Sequence, residues 1–573
     1  MRRALAWSAV VVAALAPMQS ARAGSASAAA GYTRASPTPS VAATAYQGGA
    51  PASPGASAAA PGAPLPAPAD GVLKLALLDA VRLSIVNNLD IELERFDPLV
   101  AEQNLRAAWG VYDPRVFADG GHNDTQTPTA STIVGSLLLH DQTDHGEGGV
   151  KGVLPVIGGS YSVSYGGVSD VTDSRIQVLS PQFTTQFLAS LQVPLLRGLL
   201  WGDAWTQVRV SQIGLDASRD TFAAKLMDQV ALTENSYWAL VAAQANTRVA
   251  QKSLDTAKAL LDQTKAQFEV GVVSKVDVVQ AEAGVADRDF RLITADATER
   301  NVQDALIDNV LGPYLGPTTR LDVDPTDPPE EMPVREVDPQ TATDRALAIR
   351  PEVAAAKRDV DSRTVQLRYA SNQRLPQLDF VANFSNNGLA GKANPSCITF
   401  SNPPSSPCPV PPVIGRQWTD ANDNFFTGRA PRSFVLGGVF SIPLGNVTPR
   451  ADYQTARLEL RRSETALHRL EQQIISDIRR AARNLLAAIE GIDAAERAVV
   501  AATEQLRAER VRLEYGESTP FDVLLKEQDL VQAEQQKIAA QQVYHNSITQ
   551  LDRSQGTILA RNHIVVEEAA PLR

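Results

Sequence analysis

Cys397 and Cys408 are the only cysteines in the chain, and its six histidines (His122, His140, His145, His468, His545 and His563) are scattered. Metal capture needs Cys, His or carboxylate groups at ligand spacing. No close Cys/His cluster exists, so no metal and no cofactor is expected. No nucleophile–base constellation stands out either, and the chain reads as a non-enzyme. What does recur is a pair of look-alike stretches. Gly271 is followed three residues on by Ser274 and then Asp277, and Gly516 by Thr519 and then Asp522. Glycine suits the left-handed residue that ends a helix, and Ser/Thr-x-x-Asp can cap the next one. Pro520 adds the residue favoured at the first helical position. The chemistry of these residues is that of turning one helix into another.

The elements that carry these turns are long helices. Ile478, Leu485, Ile492, Val499, Leu506 and Leu513 recur every seven residues, with Ala481, Ala488, Ala495 and Ala502 three positions after the first four. Sustained heptads of this kind predict a helix–helix seam. Leu240, Thr247, Leu254, Leu261 and Phe268 fall on Leu485 to Leu513 at an offset of 245 residues, so two helices share one register. The segment from Ala451 to Tyr515 predicts a rod of roughly 100 Å. Shorter helices are expected over Asp79–Trp109, Val276–Val310, Asp344–Arg374 and Phe521–Thr557. Two of these placed end to end span one long helix.

The whole chain is internally duplicated. Asp90-Ile91 matches Glu352-Val353 and Asp113-Pro114 matches Leu375-Pro376 at an offset of 262, and Val193-Pro194-Leu195 matches Ile442-Pro443-Leu444 at 249. In each half, between the first short helix and the long one, the period switches to two. Phe183 to Val193 and Leu378 to Phe384 alternate apolar with polar residues, and Tyr161–Tyr165 and Phe434–Ile442 are further candidates. Four strands per chain are expected. Several are long enough for a membrane strand, which needs about 9–11 residues with one apolar face. Closed membrane barrels start at about eight strands, so four would require neighbouring copies.

The ends and the composition set the compartment. Residues 1–23 read as a cleaved signal peptide: Arg2 and Arg3, an apolar run from Ala4 to Leu15, and Ala21-Arg22-Ala23. No cysteine precedes Cys397, so a lipoprotein is excluded, and after Ala23 no run of about 18 apolar residues occurs. Residues 24–70, rich in Ala, Ser, Gly and Pro, read as a disordered linker. Residues 71–311 form a first structural repeat, 312–341 an acidic Pro-rich linker, 342–559 a second repeat and 560–573 a flexible tail. In an exported chain, Cys397 and Cys408 are expected to form a local disulfide. The net charge of −11 over 573 residues argues against nucleic-acid binding. The segments His122–Gly149 and Asn387–Gly415 exceed minimal strand connections and leave room for extra loops or an extra hairpin.

Over about residues 72–559 the chain resembles the TolC-type outer-membrane efflux family. The resemblance rests on the duplicated tips, Val270–Val278 and Tyr515–Val523, and on the matched strand ends. It implies a mainly α fold in which coiled-coil hairpins form an α-barrel in the periplasm, with four strands per chain entering a twelve-stranded β-barrel of a homotrimer in the outer membrane. It also implies a passive exit duct for an efflux pump or a type I secretion system. Its partners would be a periplasmic adaptor, an inner-membrane pump or ABC exporter, and outer-membrane lipid. Gly271, Val272, Ser274, Gly516, Glu517 and Thr519 would dock the adaptor. Asp277 and Asp522 would either line the tunnel constriction or cap their helices. Leu525 stands where the family pattern leads one to expect another acidic residue, which departs from a cation-sensitive constriction. A soluble periplasmic coiled-coil adaptor or scaffold is the alternative; it explains the heptads and leaves the strands unexplained.

Overall fold

The computed structural model describes residues 72–130, 137–312, 321–329, 338–399, 408, 415–427 and 431–565. The signal peptide, the 24–70 linker and the last eight residues of the tail lie outside these.

Two helices dominate, α3 (Asp203–Glu269) and α8 (Val447–Glu514), of 67 and 68 residues. At about 1.5 Å per residue each is a rod of roughly 100 Å. Both turn back at the tips, into α4 (Lys275–Leu311) and α9 (Pro520–Gln555). The heptad residues Ile478, Leu485, Ile492 and Leu506 are buried on α8, as are Ala481, Ala488, Ala495 and Ala502. Tyr544, Ile548 and Leu551 of α9 pack between them. Small alanines let the two backbones approach, and each buried Leu or Ile contributes about 1.5–3 kcal/mol.

The helix expected over Asp79–Trp109 is two helices, α1 (Leu77–Asn87) and α2 (Leu89–Trp109). Asn88 leaves the helical region, at φ −67° and ψ 126°, and its side chain accepts from the amides of Asp90 and Ile91. The second half breaks at the equivalent place, between α5 (Pro339–Ile349) and α6 (Pro351–Gln373). Here Pro351 bars Arg350 from helical geometry and serves as the first residue of α6. The helices α2 and α4 pack on α3, while α6 and α9 pack on α8 and reach α3 as well.

Within the stretch read as a linker, Asp322–Pro325 is a strand, β6, pairing in parallel with β1 (Val72–Leu75). Leu73, Leu75 and Val323 join Tyr237, Leu240 and Leu306 in one core cluster. The tail also starts late. The short helix α10 (Ile558–Arg561) packs on α3, Arg561 forms ion pairs with Glu234 and Asp552, and Asn562 donates to Glu234 at 2.8 Å. Glu234 is fully buried and also accepts from Thr549 at 2.6 Å. A second charge cluster ties α3, α6 and α9: Glu352 accepts from Arg350 at 2.9 Å and Arg553 at 2.6 Å, and Arg553 also reaches Asp228 at 2.6 Å. Burial opposes ionisation of Glu352, but the two guanidiniums outweigh it and hold the carboxyl at about 2.

The expectation of four strands in the sheet is corrected to six among the described residues. The four expected strands are β4 (Ser160–Thr172), β5 (Leu179–Pro194), β7 (Gln377–Ala393) and β8 (Arg432–Ser441). Added to them are β2 (Arg115–Pro128) and β3 (Leu138–Val153). All six form one antiparallel sheet in the order β2-β3-β4-β5-β7-β8. A short helix, α7 (Trp418–Phe426), lies on one face of it, with Trp418 edge-on to Phe183 and Phe425 edge-on to Tyr165. Cys397 and Cys408 are joined by a disulfide beyond the end of β7.

Candidate functional site

The two hairpin tips are built alike. Gly271 sits at φ +82° and Gly516 at φ +70°, a region that costs a side-chain-bearing residue roughly 1–2 kcal/mol. Each glycine lets the chain fold back on its helix. Gly271 N–H donates to Phe268 O and Val272 N–H to Gln267 O, both at 2.9 Å. Gly516 N–H donates to Leu513 O at 3.1 Å and Glu517 N–H to Arg512 O at 2.9 Å. These bonds satisfy carbonyls that the helix end would leave unpaired.

The return helices begin with complete capping boxes. The Asp277 amide donates to Ser274 Oγ at 3.3 Å, while Asp277 Oδ2 accepts from the Ser274 amide at 2.8 Å and hydroxyl at 2.7 Å. Thr519 and Asp522 repeat the arrangement at 3.3, 3.2 and 2.7 Å. Hydrogen bonds from Ser274 and Thr519 hold the pKa values of Asp277 and Asp522 below the usual aspartate range. Both carboxylates are therefore already engaged in starting a helix.

Around these turns the apolar side chains are uncovered. Val270 is 74% exposed, Val272 72%, Val276 64% and Tyr515 80%, with Phe521 and Leu525 also open. These side chains have no cover within the chain.

One pair that sequence reasoning missed lies behind the tips. Arg288 of α4 and Glu527 of α9 are both buried, with Nε to Oε2 at 3.9 Å. Arg288 Nη2 also donates to the carbonyl of Leu524 at 3.1 Å, so this one side chain bridges the two hairpins. Ala257 and Leu260 of α3, Leu506 of α8 and Val523 and Leu524 of α9 pack beside it. Burial raises the pKa of Glu527, and the charge of Arg288 only partly offsets it. The signal for this pair was an Arg and a Glu placed within otherwise apolar seams.

Among the described residues no group of three His, Cys, Asp or Glu side chains could hold a metal ion, and no helix is long and apolar enough to cross a membrane.

Paired rods, matched tips and a single antiparallel sheet of six described strands set the class of fold to which the chain is compared. The chain matches the family described as outer membrane efflux protein over residues 151–308 and 342–557, more than half its length, and it belongs to that family. No curated protein matches it significantly. Among solved structures it is similar to the CmeC outer membrane channel of Campylobacter jejuni, at 17% identity and a TM-score of 0.57, covering 84% of this chain and 85% of that one. It is also similar to the outer membrane protein VceC of Vibrio cholerae, at 14% identity and a TM-score of 0.58, covering 84% and 96%. The open-state MtrE outer membrane channel of Neisseria gonorrhoeae matches at 14% identity and a TM-score of 0.56, covering 84% and 89%. At these identities the likeness is one of fold.

Proposed function

We propose that the chain is the outer-membrane exit duct of a tripartite efflux pump or a type I secretion system. Residues 1–23 direct its export and are cleaved. Three copies assemble, because a single open sheet has two unpaired edges that lipid does not tolerate. Their strands form a barrel in the outer membrane and their rods a tunnel in the periplasm. Cargo passes through water without covalent change, so the duct needs no cofactor, and an inner-membrane pump or ABC exporter supplies the energy.

The observation that carries this reading is the pair of tips. Two hairpins of nearly equal length end in the same capped turn and present uncovered Val272 and Tyr515 at their ends. Such ends suit the coiled-coil hairpins of a periplasmic adaptor, with Gly271, Ser274, Gly516, Glu517 and Thr519 shaping the surface. Asp277 and Asp522 act there as caps.

The test combines Gly271→Pro with Gly516→Pro. Export should be lost while trimers still reach the outer membrane, and adaptor cross-linking at the tips should disappear. Undiminished export would remove the docking role. Recovery of the wild-type chain only in the soluble periplasmic fraction would remove the duct itself.

A further inference from the structure

Where the rods meet the sheet, three separate elements wall an open cavity of about 520 Å³. Arg368, Asn372 and Arg374 come from the end of α6, Trp201 from the connection between β5 and α3, and Asn446 and Arg450 from the start of α8. Hydrogen bonds fasten these walls to one another. Asn372 Oδ1 accepts from the Gly198 amide at 2.7 Å, and its Nδ2 donates to Leu196 O at 3.3 Å. Asn446 Nδ2 donates to Arg374 O at 2.9 Å.

The charge in the cavity is one-sided. Its described lining holds three arginines and no Asp or Glu. Arg209 and Arg368 lie over the Trp201 ring, 5.0 and 5.7 Å from its centroid, and Arg374 lies 3.9 Å from the centroid of Tyr453. Aromatic faces attract guanidiniums but cancel none of their charge. The first turn of α8 carries no acidic residue and no side-chain cap, so the positive end of a 68-residue helix adds to the same wall. Asp203 and Asp452 are within electrostatic reach of Tyr369 and take no part in the lining. Guanidiniums gathered without a counter-ion repel one another, and their planar forks match the oxygens of a phosphate.

The rim is apolar. Leu200, Leu375 and Leu444 stand at or beside lining residues, and all three are exposed. Three of the chain's six tryptophans, Trp109, Trp201 and Trp205, gather here, with Trp109 edge-on to Trp205 at 5.8 Å. Tryptophan rings favour the boundary between lipid and water.

We propose that this cavity binds the phosphate of an anionic phospholipid from the leaflet that faces the rods. Arg368, Arg374 and Arg450 take the phosphate oxygens, and the acyl chains lie against Leu200, Leu375 and Leu444. A net anionic headgroup suits the site, because the same arginines repel the cation of a choline headgroup. The bound lipid ties the end of α6 to the start of α8 at the membrane surface. The inference rests on the outer-membrane duct proposed above.

Native mass spectrometry tests it, on full-length trimers released from bilayers of phosphatidylglycerol mixed with phosphatidylcholine. Phosphatidylglycerol should be retained in preference. Its affinity should fall roughly tenfold in Arg368→Gln and again in Arg450→Gln, with Arg450→Lys, which keeps the charge and loses the fork, in between. Arg462→Gln, at an exposed arginine farther along α8, should change nothing. Equal retention by wild type and the Arg368→Gln, Arg450→Gln double variant would overturn the proposal. So would displacement of the lipid by soluble glycerol phosphate at matched concentration, which would make this a site for free phosphate. Double-variant trimers that fall apart with lipid retention unchanged would show that a neighbouring copy fills the cavity, and would overturn it too. Membrane fractionation separates the two readings. Chains absent from the outer membrane would overturn the duct and this site together, whereas outer-membrane trimers without the lipid preference would overturn the site alone.

Discussion

Arg288 on α4 and Glu527 on α9 face each other across 3.9 Å with almost no solvent access, and they join the two hairpins just behind the tips. The shortest approach is longer than a hydrogen bond, and Arg288 Nε and Glu527 Oε2 have no hydrogen-bond partner. A buried pair of this geometry contributes little to net stability, yet losing one member leaves a charge uncompensated.

Arg288→Ala is therefore expected to destabilise the hairpin contact by about 3–5 kcal/mol, whereas Arg288→Met combined with Glu527→Met should be close to neutral. Chemical denaturation of the purified trimer, read with protease nicking near the tips, checks both. A single variant as stable as wild type would show the pair to be solvated in the assembly.

The pair also sets a pH dependence. Burial raises the pKa of Glu527 in the folded chain, so the folded state holds that proton to higher pH than the unfolded state does. Stability from this group is present at acidic pH and is lost as pH rises through the folded value. Tip opening, followed by hydrogen exchange, should grow over that interval in wild type and stay flat in Glu527→Gln.

Glu352 behaves in the opposite sense. Its folded value of about 2 lies below the ordinary 4.5, so its contribution is fully present above 4.5 and lost as pH falls toward 2. The α3–α6–α9 contact should loosen over that acid range, and Glu352→Gln should remove the dependence. Acid titration of thermal unfolding makes the comparison.

The capping boxes give a smaller effect. Ser274→Ala and Thr519→Ala should each cost about 1 kcal/mol, confined to the first turns of α4 and α9. Amide exchange at Asp277 and Asp522 should accelerate while the α8–α9 seam at Leu485 stays protected.

Much of this architecture was legible because its physics is local or periodic. Heptads mark the α8 seam, and Gly followed by Ser or Thr and then Asp marks each tip. The breaks at Asn88 and Arg350 lie inside stretches expected as continuous helix, although Pro351 and the capping side chain of Asn88 were the signals for them. The strands β2 and β3 were harder. Gly120, Gly121, Gly146, Gly148, Gly149 and Gly152 leave the sheet faces there without side chains, so no two-residue alternation is visible. Strand β6 is four residues of Asp, Val, Asp and Pro, and only its partner β1 makes it a strand. Arg288 and Glu527 lie on different hairpins, and nothing in either neighbourhood shows that they meet.

The clamp on Glu234 ties distant parts of the chain into one unit. That carboxylate is buried in the middle of α3, yet it is held by Arg561 and Asn562, 327 and 328 positions further along. Removing either partner would leave an uncompensated anion inside the bundle and so loosen the long rod from a segment that is not part of it. The first rod therefore owes the seating of its midpoint to the short segment that follows the last long helix.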